Sequence, residues 1–301
     1  MVSSGKIKTI QEVVSAIPDG AQIGLPGFAV ARNAIAFAHE MIRQGKKDLT
    51  LVQCIGGMDT ELLVGAGTVK KLIYSTGSLD RFGPLSCVNR AFHEGRLELE
   101  EHSGLSVTLS LFAGSLGISY IPCNTLLGSD ILSNLEKKYP DQVKEAVCPF
   151  TGEKQVLLRA KRPDYGVVVA NYADEDGNTV ISGPLWDTKE MALAAKHLIV
   201  IVEKIVSREW IRNYPEKTVI PGTTVDSLVE LPYAAYPTAI HGVYDYDAEH
   251  LKKFGQLTRS QDEVDAYLNE YVLGTANHLA YLNKFGLEKI LSLTADPYKG
   301  Y

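Results

Sequence analysis

Four short segments of this chain carry the residue types best suited to chemistry: Gly24-Leu25-Pro26-Gly27-Phe28, Cys54-Ile55-Gly56-Gly57, Ser75-Thr76-Gly77-Ser78 and Gly128-Ser129-Asp130. Glycine lets a ligand lie close to the main chain, and the amides that open a following helix can stabilise a developing oxyanion. A tight turn would explain any one of them. Four at the same edge of a sheet point to a site, because open parallel sheets bind ligands outside the carboxyl ends of their strands.

Other motifs fall away. Nothing matches G-x-x-x-x-G-K-[ST], and Gly65-Ala66-Gly67 lacks the third glycine of a dinucleotide fingerprint and precedes a strand. Ala113-Gly114-Ser115-Leu116-Gly117 approaches a nucleophile elbow, but a strand follows where a helix is needed, so it reads as a small-residue packing surface. The seven histidines are scattered; His102 and His241 stay open because each lies near glycine in an expected loop. Asp174-Glu175-Asp176-Gly177-Asn178 reads as a turn rather than a metal site. Cys54, Cys87, Cys123 and Cys148 form no C-x-x-C pair and are expected to be reduced and mostly buried. No metal is expected.

The elements that must hold these loops can be read from periodicity. Thr9-Ile10-Gln11-Glu12 is a capping box that opens a helix ending before Pro18-Asp19-Gly20. Ala21–Leu25 then reads as a strand, residues 32–43 as a helix, Leu49–Ile55 as a strand, Thr60–Val64 as helical and Val69–Tyr74 as a strand. Further strands are expected at Ser119–Ile121, Tyr165–Asn171 and His197–Val202, with a helix over Thr188–Lys196. The stretch between Phe92 and Ser119 shows no clear period. Runs apolar on both faces and separated by helices give an α/β fold: an open, mostly parallel sheet with helices on both faces. Residues 248–301 read as a C-terminal helical extension with a second capping box at Ser260-Gln261-Asp262-Glu263, and no linker separates them from the rest, so residues 1–301 are expected to form one domain.

The 301 residues include 30 Lys+Arg and 36 Asp+Glu, a net charge of −6 with no basic run, which argues against nucleic acid. No stretch approaches 18 continuous apolar residues, and Met1–Lys8 lacks a signal-peptide core, so no membrane association and a cytoplasmic location are expected.

The block Asp19-Gly20-Ala21-Gln22-Ile23-Gly24-Leu25-Pro26-Gly27-Phe28 resembles the N-terminal signature of class I coenzyme A transferases. Val202–Val206, Ile220-Pro221-Gly222, Val225-Asp226 and Pro232–Pro237 through Gly242–Asp247 are similar to the A subunit of glutaconate-type CoA-transferases. Pro26 departs from the signature, and Arg32-Asn33-Ala34 replaces its Gly-x-Pro ending. The resemblance implies a two-subunit enzyme, a heterotetramer or larger, that moves CoA between an acyl-CoA thioester and a small carboxylic acid. It implies no permanently bound cofactor. The nucleophilic glutamate would belong to the partner B subunit, since this chain has no Ser-Glu-Asn-Gly segment, and no catalytic residue is expected here. Gly27, Phe28, Ser75, Ser78, Gly128 and Ser129 would shape the substrate and oxyanion pocket, with Arg32 binding a substrate carboxylate. Relatives of this type that decarboxylate a glutaconyl-type CoA thioester or open a CoA-linked ring give the alternative activities; in the ring-opening ones an acidic residue is required where this chain has His102-Ser103-Gly104. A CoA-thioester-binding protein without catalysis is the remaining alternative.

Overall fold

The structure, a computed structural model, describes residues 5–296. Four strands run parallel in chain order: β1 Gln22–Gly24, β2 Leu49–Gly56, β3 Val69–Gly77 and β4 Glu98–Glu101. The chain then leaves to build a small antiparallel sheet from β5 Tyr120–Cys123, β6 Val143–Val147 and β7 Lys154–Arg159, in the order β5-β7-β6. β8 Tyr165–Asp174 returns to the main sheet, and its first two residues pair with Ile23 and Gly24 of β1. Past β1 it turns through Asp174–Asn178 into β9 Thr179–Val180, antiparallel to β8. β10 His197–Val206 lies parallel to β8, β11 Thr218–Ile220 pairs with β9, and β12 Ser227–Glu230 lies parallel to β10.

The seven parallel strands therefore run β12-β10-β8-β1-β2-β3-β4. Strand order reverses between β1 and β8, which makes the space beyond their carboxyl ends the switch point of the sheet. Branched and leucine side chains fill both faces, as a parallel sheet covered by helices requires. On one face the core runs from Ile10 and Val14 through Phe37 and Leu62 to Tyr271, Tyr281 and Ile290, so the helices after Ala248 pack on the same core as the first ones. On the other, Val107 and Leu111 of helix Gly104–Ser115 and Met191 of helix Thr188–Ala194 lie on Val52 and Ile73. Residues 6–8 run beside the outer strand: the Lys8 amide donates to the Leu228 carbonyl at 2.9 Å and the Leu228 amide to the Lys6 carbonyl at 2.8 Å.

Several expectations shift. The capping box at Thr9 and Glu12 is formed, whereas the Ser260 hydroxyl makes no capping bond although helix Gln261–Leu268 begins there. The helix expected from Arg32 begins at Ile35, because Arg32 is in the left-handed region (φ 50°) and Asn33 is consumed in loop packing. The unclear stretch holds β4 and helix Gly104–Ser115. A Cβ on Gly114 would stand 2.1 Å from the Lys161 carbonyl, so the Ala113–Gly117 run is a packing surface. All four cysteines are free, but only Cys87 is buried. Among the described residues no helix is long and apolar enough to cross a membrane. Of the C-terminal extension, residues 297–301 lie outside the described residues, as do residues 1–4 of the N-terminal stretch.

Candidate functional site

The loops leaving β1, β2 and β3 are bound to one another at the carboxyl edge. After β1 the chain doubles back, with Phe28 and Ala31 exchanging amide-to-carbonyl bonds of 2.9 and 2.8 Å, and Phe28 continues alongside Ile55 of β2. Asn33, fully buried, accepts from the Met58 amide at 2.8 Å and so ties the first loop to the helix that follows Gly57. The packing leaves no room for side chains. A Cβ on Gly57 would meet the Ala29 carbonyl at 2.2 Å, one on Gly27 would meet Asn33 Nδ2 at 2.6 Å, and one on Gly77 would meet Leu85 Cδ1 at 2.3 Å. Gly57 is thus required by main-chain contact within the protein, while Gly27 and Gly77 press on side chains of neighbouring residues. The Ser78 amide then donates to the Gly56 carbonyl at 3.0 Å, joining the third loop to the second.

At the switch point a fourth segment, Ser182–Asp187, folds over the first loop. Asn171 of β8, buried, holds it by accepting from the Ser182 amide at 2.8 Å while donating to the His241 carbonyl at 2.9 Å. Trp186, in the left-handed region, stacks on Phe28 with ring centroids 4.7 Å apart and lies 4.6 Å below the Arg32 guanidinium. Such a stack contributes about 0.5–1.5 kcal/mol beyond burial. Arg32 donates to the Ser182 carbonyl at 3.2 Å, to the Pro184 carbonyl and, at 3.5 Å, to Thr188 Oγ1. It is 4 % exposed, and burial pushes its pKa down to about 10. The guanidinium is thus spent on the 182–188 segment, which it positions over the site.

Beside it stands a group that sequence reasoning misses. Asp187 is 4 % exposed, and its Oδ2 has no hydrogen-bond partner. Burial pushes its pKa up to about 7, Glu190 adds to the rise and Arg32 opposes it. The neighbouring Cys54 thiol, at the end of β2, is pushed up by its own burial and by the Asp187 charge. The available signal is the Ser182-Gly183-Pro184 turn cluster directly ahead of an aromatic-acid pair, which the stronger periodicity of the following helix obscures.

Ser75 and Ser78 lie on the third strand and its loop. Ser75 Oγ donates to the Cys54 carbonyl at 2.6 Å and borders a cavity of about 290 Å³ lined by Tyr74, Phe92, Leu99, Glu101 and Tyr139. Gly27, Phe28, Arg32, Ser75 and Ser78 are therefore gathered at one edge. Gly128 and Ser129 stand apart. Gly128 supplies a left-handed turn (φ 73°), and Ser129 caps helix Asp130–Lys138 by accepting from the Leu132 amide at 3.3 Å. That helix packs into its own apolar cluster of Leu132, Leu135, Val143 and Val156 with the small sheet. It reaches the carboxyl edge through the 3.0 Å bond between Thr125 and Ser103, whose loop follows β4, and through Asn134, Leu135 and Lys138, which line the Ser75 cavity.

Glycine loops, a stacked aromatic pair and a buried acid thus meet at one edge of the sheet. A profile described as coenzyme A transferase matches residues 7–231. This chain belongs to the coenzyme A transferase family. It is 32% identical over 98% of its length to the A subunit of glutaconate CoA-transferase from Acidaminococcus fermentans, covering 97% of that protein. The crystal structure of that glutaconate coenzyme A-transferase superposes with a TM-score of 0.92, covering 98% of each chain at 31% identity. The A subunit of 3-oxoadipate CoA-transferase from Pseudomonas knackmussii is 34% identical over 90% of this chain and 94% of its own. The decarboxylase AibA/AibB, solved as a cysteine-to-serine variant, superposes with a TM-score of 0.75 at 32% identity, over 87% of this chain and 98% of that one.

Proposed function

We propose that this member of the coenzyme A transferase family is the A subunit of a two-subunit enzyme that transfers CoA from an acyl-CoA thioester to a small, glutaconate-like carboxylic acid. The observation that carries this reading is the likeness, over nearly the full length of both chains, to the A subunit of a glutaconate transferase.

The chemistry divides between the subunits. A glutamate of the partner attacks the thioester carbonyl and expels CoA thiolate, leaving a mixed anhydride. The thiolate then attacks the glutamyl carbonyl, releases the first acid and leaves a glutamyl-CoA thioester. The second acid attacks this, expelling the thiolate and forming a new anhydride, whose acyl carbonyl the thiolate attacks to give the new acyl-CoA and free the glutamate. Water would destroy the anhydride, so the pocket must exclude it. In this reading the chain contributes the wall: the loops at Gly27, Phe28, Ser75 and Ser78 shape the space around the reacting carbonyl, and the Phe28–Trp186 stack closes one side. Arg32 acts by holding the 182–188 segment in place. Gly128 and Ser129 act at a distance, through the small sheet that backs the Ser103 loop.

The experiment is co-expression with a B subunit, followed by incubation with acyl-CoA and borohydride. Trapping of a reduced partner glutamate with loss of activity supports transfer; full turnover by this chain alone defeats the division of labour. A second reading, decarboxylation of a CoA thioester, draws on the likeness to AibA/AibB. Release of CO₂ from a glutaconyl-type CoA thioester, without a trappable glutamyl intermediate, would select it.

A further inference from the structure

At the other end of the same strands lies a cavity of about 570 Å³ that the transfer chemistry does not use. It opens where the strands begin, beside Gln22 of β1, Thr50 of β2 and Lys71 of β3. Its lining holds Lys71, Arg159, Lys161, Arg162 and Lys196 against a single acid, Glu100. Lys161 is 6 % exposed and donates to Glu100 at 2.8 Å; Lys71 reaches Glu100 and Glu98, each at 2.9 Å, and Lys196 reaches Asp164 at 2.8 Å. Five cations set against these three carboxylates leave a local excess of two positive charges, on a chain whose net charge is −6. That excess resides on Arg159 and Arg162, which have no ion pair among the described residues.

Gathering like charges in a concave, partly buried space costs stability unless a counter-charge enters. The arrangement feels that cost already: burial lowers the Lys161 pKa, and Lys71 and Arg159 lower it further against the pull of Glu100. Two exposed arginines in one lining with a buried ammonium supply the donors that a tetrahedral oxyanion takes, including the paired N–H bonds arginine offers. We propose that this cavity binds a compact, multiply charged oxyanion: a phosphate or phosphate ester.

The test uses this chain alone and in complex with its B subunit, with inorganic pyrophosphate as probe and sodium chloride matched for ionic strength as control. Pyrophosphate is expected to bind saturably and to raise the melting midpoint beyond the chloride control. In the Arg159→Ala/Arg162→Ala variant the dissociation constant should rise at least ten-fold, while the midpoint without anion stays equal or rises, because repulsion is relieved. Two further measurements separate the sources of the phosphate. If CoA displaces pyrophosphate and the variant raises KM for acyl-CoA, the site takes the phosphates of that substrate. If CoA does not compete and KM is unchanged, it takes a free phosphate. Absence of saturable pyrophosphate binding, or equal binding by the variant, overturns the proposal. Neither result depends on whether the complex transfers CoA.

Discussion

Glu100, on β4, and Asp187, at the start of helix Thr188–Ala194, are both buried acids, 2 % and 4 % exposed, and they behave in opposite ways. Glu100 accepts from His102 Nε2 at 2.9 Å and from the ammonium groups of Lys161 and Lys71. Burial alone would raise its pKa; these three donors overturn that and hold it well below the carboxylate range. Asp187 is equally removed from water, but Arg32, its nearest cation, has turned to main-chain carbonyls, and the acid rises to about 7. Burial therefore does not decide protonation; the number of donors committed to the group does. One acid serves as a structural anchor, and the other remains an uncommitted acid beside the switch point.

The comparison can be broken first at the anchor. Glu100→Ala should cost about 3–5 kcal/mol, since it leaves the buried Lys161 without a counter-charge and Lys71 with Glu98 alone. Urea denaturation measures this, and adding Lys161→Met should recover part of the loss. The folded pKa of Glu100 lies below its ordinary 4.5, so its stabilisation is present above that pH and lost as pH falls beneath it. A wild-type acid limb that Glu100→Ala leaves unchanged would show that the anchor is not ionised.

At the opposite edge, Gly27→Val should lower stability by about 1–3 kcal/mol, because the new side chain enters the space of Asn33. Turnover and melting midpoint should fall together. A variant of normal midpoint with lost turnover would instead place Gly27 against the ligand.

Asp187→Asn sharpens the contrast with Glu100, because its sign is reversed. A folded pKa of about 7 against an ordinary 3.8 means that stability falls as pH rises from the ordinary value through about 7. Glu61 and Glu203, also raised to about 7 by burial, contribute to the same decline. The variant should therefore be more stable than the parent at pH 8, by about 1 kcal/mol, and show a shallower loss between pH 5 and 8. Melting curves across that range decide it. If the two proteins lose stability in parallel, Asp187 is ionised throughout.

Ser129→Ala tests the smallest effect. Losing the cap of helix Asp130–Lys138 should cost about 1 kcal/mol with KM unchanged. A raised KM at full stability would bring that turn into the substrate site.

Most of the parallel sheet was legible because it is buried on both faces. Continuous apolar runs such as Leu49–Ile55 and Tyr165–Asn171 admit few other placements. The small antiparallel sheet was hidden: Val143–Val147 and Lys154–Arg159 are half exposed, and their mixed polarity resembles loop. The glycines were legible as loop positions but not as to cause, since what fills the space beside Gly57 is a carbonyl of Ala29, and no sequence reading gives that distance. Asp187 and the cationic cavity were illegible for a related reason. Lys71, Glu100, Lys161 and Lys196 are far apart along the chain, and only the return of β8 to the centre of the sheet brings them together.

The pairing of residues 6–8 with the outer strand also bears on biosynthesis. Ile7 is synthesised long before Leu228, which it flanks. Until then residues 6–8 lack this strand as a partner, and once β12 is made its outer main-chain groups would be open to any other extended polypeptide. The early segment is then already waiting and takes that place. Residues 6–8 thereby cover a strand edge that would otherwise be free to pair with another chain.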